Sequence, residues 1–359
     1  MCYHILIFSF IGKFYEISYK TKKLRKRGSF GDFRKIYKET DMNIVILEAA
    51  SVSNGDVDLS GLSKYGSLTV YETTNTEDVG EIAERVREAD IVLCNKSLMN
   101  RQSLEHAHNL KYIGLCATGY NNVDIEYTKE RNIVVCNAAS YSTEAVAQHV
   151  FAFLLNKYNR VAEYDSKVKE GMWKKSRTFS PFMEMQELMG KTIGIVGYGS
   201  IGKKVAQIAQ AFDMKVLAYN RSKKEDVAVK FVDLDTLLSK SDIVTMHCPL
   251  NSDSNKMCDR QFFSKMKEGA YFINTSRGGV VDEEALVEAL NSGHLSGAGL
   301  DVIEIEPMRN DSILCEAKNI VITPHSAWAP LDTRIRLMKI VEDNIKCFLN
   351  NNPINVVNR

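Results

Sequence analysis

The run Gly197-Tyr-Gly-Ser-Ile-Gly202 (GYGSIG) decides how the chain is read. An apolar stretch, Thr192–Val196 (TIGIV), precedes it. Lys203–Phe212 (KKVAQIAQAF) follows, with Val205, Ile208, Ala209 and Phe212 on one helical face. Strand, glycine turn and helix in this order make a phosphate cradle. Gly197 permits the tight turn, Gly199 lets backbone approach a pyrophosphate, and Gly202 lets helix and strand pack closely. Ser200 and Ile201 open the helix, whose unpaired N–H groups and positive dipole end face the phosphates. The motif in this context predicts dinucleotide binding.

Working outward, short β-rich runs alternate with helical patterns on both sides of the cradle. Downstream lie Lys215–Tyr219 (KVLAY), Asp242–Met246 (DIVTM), Ala270–Asn274 (AYFIN), Ser296–Leu300 (SGAGL) and Asn319–Thr323 (NIVIT). Upstream lie Met42–Leu47 (MNIVIL), Ser67–Tyr71 (SLTVY), Asp90–Cys94 (DIVLC), Lys111–Cys116 (KYIGLC) and Asn132–Cys136 (NIVVC). Continuous apolar strands separated by helices indicate parallel sheets covered on both faces. A long helical segment begins at Ser142 or Thr143, a plausible N-cap, and is read as a bridge between two domains. A final amphipathic helix, Thr333–Leu349, follows Pro330. The expected fold is α/β with two doubly wound parallel-sheet domains of Rossmann or flavodoxin-like type. The cofactor domain, residues 142–331, is inserted in a substrate domain made of residues 42–141 and 332–359. Insertion would set two strand-end crevices facing each other across a cleft.

Composition is that of a globular protein, 45% apolar and 25% charged, with a net charge of +1. Neither nucleic acid nor a membrane is expected as a partner. The charge is uneven: residues 1–41 carry ten Lys/Arg against four Asp/Glu, and are read as a poorly ordered basic extension. Ile5–Ile11 within it falls far short of the roughly 20 residues a membrane span requires. The eight cysteines form no C-x-x-C pair, the usage of reduced thiols in a cytoplasmic protein rather than of a disulfide framework or metal site.

The second strand of a dinucleotide domain ordinarily ends in an acid that bonds the ribose hydroxyls of NAD. Here it ends in Asn220, Arg221, Ser222 and Lys223, which carry no charge to repel a 2′-phosphate and can donate to one. NADP(H) is therefore favoured over NAD(H). Further strands end in His247-Cys248-Pro249, in Thr275-Ser276-Arg277, in Asp301 and in Pro324-His325-Ser326. In a parallel sheet these ends share the edge that bears the glycine loop. Arg277, Asp301 and His325 should then converge beside the cofactor. That set suits reduction of a 2-keto acid. Arg277 can hold the carboxylate bidentately, and His325 can give the proton to the carbonyl oxygen as hydride reaches carbon. A carboxylate bonded to the imidazole would hold its tautomer; Glu306 and Glu304 compete for that place.

The blocks Ser276–Gly279 (SRGG) with Val281–Leu286 (VDEEAL), Gly299–Pro307 (GLDVIEIEP) and Thr323–Trp328 (TPHSAW) resemble the signature blocks of the D-isomer-specific 2-hydroxyacid dehydrogenases. The resemblance runs from about Met42 to the C-terminus and implies an Arg/Glu/His arrangement on Arg277, Glu306 and His325. Because the family's Glu immediately precedes Pro, it selects Glu306 over Glu304. It also implies a homodimer formed largely through the cofactor domains, and Asp301 near the nicotinamide carboxamide. Leu93–Ser97 (LCNKS), Ala117–Asp124 (ATGYNNVD), Ser140–Phe151 (SYSTEAVAQHVF) and Asn352–Asn358 (NPINVVN) are most similar to the glycerate dehydrogenase (hydroxypyruvate reductase) branch.

Residues 1–41 and Asn220 depart from the family pattern. By the strand-end rule Lys96, Ser97, Thr118 and Gly119 face the cleft, where their backbone N–H groups are candidates for the substrate carboxylate. His149, inside an apolar helix, is read as a core residue, and Trp328 as a pocket wall or core residue. The expected activity is reversible hydride transfer between NAD(P)H and hydroxypyruvate or glyoxylate. A lactate- or phosphoglycerate-type dehydrogenase and a nucleotide-sensing corepressor-like protein are the alternatives.

Overall fold

A computed structural model describes residues 42–222, 226–227 and 229–359. The basic segment 1–41, with its expected disorder, and Lys223 at the end of the Asn220 run lie outside the described residues.

The first sheet has strands β1 (Asn43–Ile46), β2 (Ser67–Val70), β3 (Ile91–Cys94), β4 (Tyr112–Leu115) and β5 (Val134–Cys136). All pair in parallel, in the order β2-β1-β3-β4-β5. Between them run α1 (Val79–Val86), α2 (Arg101–Leu104) and α3 (Ile125–Glu130). Their starts are set by the side chains of Asp78, Asn100 and Asp124, each accepting a backbone N–H of the first turn. β3 and β4 are buried at every position, because layers cover the sheet on both sides.

The chain leaves this sheet through α4 (Thr143–Asn159) and α5 (Val161–Lys169). Ser142 takes the N-cap position of α4 but makes no capping bond; the Thr143 hydroxyl donates instead to the Ser140 carbonyl. The single long bridge read from sequence is broken at Arg160, whose φ of 51° is left-handed and ends α4. Phe151, Phe153 and Leu154 of α4 pack with Ile193, Ile195 and Val205 under the second sheet.

That sheet holds β6 (Thr192–Val196), β7 (Lys215–Tyr219), β8 (Lys230–Phe231), β9 (Ile243–Met246), β10 (Ala270–Asn274), β11 (Leu295–Leu300) and β12 (Ile320–Ile322). All are parallel, in the order β12-β11-β10-β9-β6-β7-β8. β8, two residues long, carries too little pattern to be read from sequence. Its helices are α6 (Ser200–Ala211), α7 (Leu234–Lys240), α8 (Arg260–Lys265) and α9 (Glu283–Asn291), the last three capped by Asp233, Asp259 and Asp282.

After β12 the chain returns to the first sheet as α10 (Leu331–Leu349). Leu337, Val341 and Ile345 of α10 join Ile44, Leu93 and Tyr112 in one core. A fully buried side chain of this kind contributes about 1.5–3 kcal/mol, so the return helix is integral to the first layer. The tail then lies along β5: Val356 bridges Cys136, and Asn358 accepts the Val135 N–H. The fold is α/β, with two doubly wound parallel sheets and the second inserted into the first. Among the described residues no helix is long and apolar enough to cross a membrane.

Candidate active site

In both sheets the strand order reverses beside the first strand, between β1 and β3 and between β6 and β9. Crevices at such points lie beyond the carboxyl ends of the strands. At β6, Gly197 has φ 100°, and a Cβ there would meet the His247 backbone at 2.6 Å. The loop after β9 is thus pressed onto the glycine turn, bringing His247 and Cys248 to the cradle. Gly199 caps α6 with no side chain, and a Cβ there would meet nothing within 4 Å. The first-turn N–H groups of Ser200 and Ile201 therefore open onto space. Two buried polar atoms on this edge, Thr275 Oγ1 and His247 Nδ1, have no hydrogen-bond partner among the described residues. Burial of the imidazole pushes the His247 pKa down to about 3, so it is a neutral ring at working pH. Open helix N-terminus and orphaned polar atoms on one edge fit a dinucleotide. At the next strand end Asn220 accepts the Tyr198 N–H at 3.2 Å and donates to Ser222, while Arg221 is paired with Asp253 on the surface.

Arg277 follows β10 and is aimed by a residue that periodicity concealed. Asn274, fully buried, accepts from the Ser276 N–H and hydroxyl and donates to the Arg277 carbonyl. Such an Asx turn is a known habit of Asn at a strand end, and was the available signal. The Arg277 side chain is exposed and reaches the other sheet: a Cβ on Gly119 would lie 2.9 Å from Nη2. Gly278, the next residue, sits against the Ile303 carbonyl, 1.8 Å from where its Cβ would be. Gly278→Ala should therefore push the Arg277 turn off the loop that carries Glu306. Expected is a loss on the order of 1–3 kcal/mol in denaturant unfolding, together with reduced activity.

His325 and Glu306 meet. Nδ1 lies 2.7 Å from Glu306 Oε2. Burial pushes the Glu306 carboxyl up, but its hydrogen bond to His325, that ring's charge, the Ile303 N–H and the charge of Lys96 together hold it below its ordinary value. Glu304, the competitor, instead pairs with Lys256 at 2.9 Å. Asp301, expected near the nicotinamide, has its carboxylate engaged by the turn after β12. It is 2% exposed, and its carboxylate accepts from the Thr323 hydroxyl and the Ser326 and Ala327 N–H groups. It holds the turn on which His325 stands at φ 52°. His149, read as a core residue, is satisfied within the same network, 2.9 Å from Thr323 Oγ1, with its ring edge-on to the buried Phe153. Trp328 meets Tyr141 edge-on, at the margin of the first-sheet core.

The first-sheet loops correct one expectation. Glu48, just past β1 and 7% exposed, accepts the N–H groups of Asn95, Lys96 and Ser97 and the Ser97 hydroxyl. Ser97 is fully buried, so neither it nor the Lys96 N–H faces the cleft as a free donor. Only the Lys96 side chain is exposed. The Thr118 hydroxyl donates to the Ala138 carbonyl, whereas Gly119 does border the cleft, against Arg277. Glu48 escaped sequence analysis because an acid at a strand end carries no periodic signal.

Comparisons with known proteins agree with this geometry. Residues 151–327 match the NAD-binding domain of the D-isomer specific 2-hydroxyacid dehydrogenases. The chain is 42% identical to a hydroxypyruvate reductase of Blautia hydrogenotrophica over 322 residues, covering 89% of this chain and all of that one. It is 39% identical to a glycerate dehydrogenase of Methylorubrum extorquens, covering 80% and 90%. Among solved structures, an acyclic imino acid reductase in complex with NADPH and D-Arg superposes with a TM-score of 0.78 at 32% identity, covering 88% of this chain and all of that one. The Aquifex aeolicus D-lactate dehydrogenase complexed with NAD and lactic acid superposes at 0.74 with 30% identity, covering 88% and 99%. With these strand ends and these relatives, the chain belongs to the D-isomer-specific 2-hydroxyacid dehydrogenases, enzymes that use a nicotinamide coenzyme.

Proposed function

We propose that the protein reduces hydroxypyruvate or glyoxylate to D-glycerate or glycolate, reversibly, at the edge where the two sheets face each other. The His325–Glu306 contact carries this reading, and the names of the two relatives support the substrate class. The nicotinamide coenzyme supplies the hydride. Arg277 grips the substrate carboxylate through paired N–H donors and turns the carbonyl toward His325. Because Nδ1 is engaged by Glu306, Nε2 is the ring atom left to give its proton to the carbonyl oxygen. Glu306, accepting from Nδ1–H, orients the ring and balances the imidazolium that gives its Nε2 proton in reduction and is formed again in the reverse direction. Closing the cleft keeps water from the transfer.

Residues 142–331 would form the coenzyme domain, and 42–141 with 332–359 the substrate domain. NADP(H) is the favoured coenzyme, since Asn220 puts no carboxylate where a 2′-phosphate would lie. The exposed Arg221–Asp253 pair is worth little in water and can exchange partners. A homodimer through the coenzyme domain is supported by three exposed apolar rings near α5, Trp173 at 53%, Phe179 at 89% and Phe182 at 85%. Seven unpaired thiols among the described residues fit the reducing cytoplasm.

The test is coenzyme oxidation followed by absorbance with hydroxypyruvate, glyoxylate, pyruvate and 3-phosphohydroxypyruvate, using NADPH and NADH in parallel. Hydroxypyruvate or glyoxylate should give the highest kcat/KM, and NADPH should exceed NADH. Asn220→Asp should reverse the coenzyme preference by about tenfold or more, since it sets a carboxylate against the 2′-phosphate. Coenzyme binding without turnover of any acid would favour the sensor reading instead.

A further inference from the structure

The chain crosses from the first sheet to the second along α4 and returns through the turn after β12, and one contact ties the two crossings together. His149 on α4 lies with Nε2 2.9 Å from Thr323 Oγ1, just past β12. The direction of that bond follows from counting protons. The single hydroxyl proton of Thr323 goes to Asp301 Oδ1 at 2.6 Å, so toward His149 the oxygen can only accept. The imidazole therefore carries a proton on Nε2 and donates it. Nε2 itself is 3.7 Å from Asp301 Oδ1, too far for a direct hydrogen bond, so its influence runs through the hydroxyl. Asp301 passes the hold onward. Its carboxylate takes the N–H groups of Ser326 and Ala327 at 2.9 Å each, and its backbone carbonyl takes the His325 N–H at 2.8 Å. The bonds thus run from α4 through Thr323 and Asp301 to His325 and the residues after it, and they hold His325 at a left-handed φ of 52°. Packing sets the His149 ring as well. It stands edge-on to Phe153 with centroids 4.8 Å apart, and the Phe153 ring lies 2.6 Å from where a Cβ on Gly299 would be, two residues before Asp301.

We infer that His149 is a positioning residue for His325, acting through the Thr323 hydroxyl on the Asp301 carboxylate. This deepens the 2-keto acid reading given above and rests on it. A hydroxyl that accepts one hydrogen bond is the stronger donor in its next, so the His149 N–H tightens the Thr323–Asp301 bond. Without it, Thr323 Oγ1 loses a donor and α4 loses its tie to the turn. The imidazole of His325 then spends less time aligned with the carbonyl oxygen. The cost falls on rate rather than on binding, because Arg277 stands at another strand end, on a turn that Asn274 fixes independently.

The experiment measures kcat and KM for the best 2-keto acid, and coenzyme Kd from nucleotide fluorescence, in wild type, His149→Phe, His149→Gln, Thr323→Val, Thr323→Ser and the double variant His149→Phe with Thr323→Val. His149→Phe should lower kcat about fivefold to tenfold, the size of one neutral hydrogen bond, with KM and coenzyme Kd near wild type. His149→Gln, whose amide can offer an N–H in place of Nε2, should recover most of that loss, as Thr323→Ser should relative to Thr323→Val. The double variant should fall no further than Thr323→Val, because His149 acts through that hydroxyl. A wild-type kcat in His149→Phe, a glutamine variant no better than the phenylalanine one, or losses that multiply in the double variant would overturn the inference and leave His149 a packing residue. If His149→Phe does not fold, His149→Met takes its place and the same outcomes decide. Wild-type failure on every 2-keto acid would remove the catalytic reading and this inference together. Wild-type turnover with an unmoved kcat in the variant removes only this one.

Discussion

His325→Ala is expected to lower turnover about 10²–10⁴-fold, the usual contribution of a positioned acid–base group, while the coenzyme still binds. The imidazole stands at the end of β12 on a turn held by Asp301, and Nδ1 engages Glu306 at 2.7 Å. Removing it takes away the imidazole hydrogen-bonded to Glu306. The glycine turn and α6 lie on other strands and keep their geometry. Steady-state rates with the best 2-keto acid and a fluorescence titration with coenzyme separate the two effects. A variant that turns over at the wild-type rate takes His325 out of the mechanism, and Glu306 with it.

Arg277→Lys should cost nearly as much, about 10²-fold or more in kcat/KM, though the charge is preserved. An ammonium offers no planar pair of donors to a carboxylate, and its stem does not hold the orientation that Asn274 imposes on the turn. The loss should appear in both constants: in KM from weaker grip, and in kcat from a substrate that no longer presents its carbonyl squarely to His325. Wild-type kinetics for Arg277→Lys would leave any nearby positive charge sufficient, and the bidentate role would fall.

Much of this molecule could be read before it was seen folded. Strands such as Ile91–Cys94 and Tyr112–Leu115 are short, wholly apolar runs, and their burial on both faces is the direct cause of that pattern. The glycine turn was legible because its chemistry is local: strand, turn and helix lie within one stretch of chain. That the strand ends bearing Arg277 and His325 share one edge was legible for a topological reason, since parallel strands deliver all their ends there. Two-residue β8 was not legible, nor was the break at Arg160, because too few residues bear a signal. The proposed substrate donors went partly astray for a different reason. Being at the right edge does not decide which way a loop's N–H groups point, and a buried acid turned those of Lys96 and Ser97 inward.

By itself, then, the order of residues determined the class of fold, the place of the phosphate cradle and which strand ends carry reactive side chains. These follow from periodicity and from connections between neighbours in the chain. Tertiary structure alone decided that the Asp301 carboxylate serves a turn, that Glu304 pairs with Lys256, and that Glu48 commands the loop of Lys96. Each of those outcomes depends on which donors crowd a given carboxylate once distant segments pack. That competition is settled by distance and desolvation, neither of which is written in local sequence.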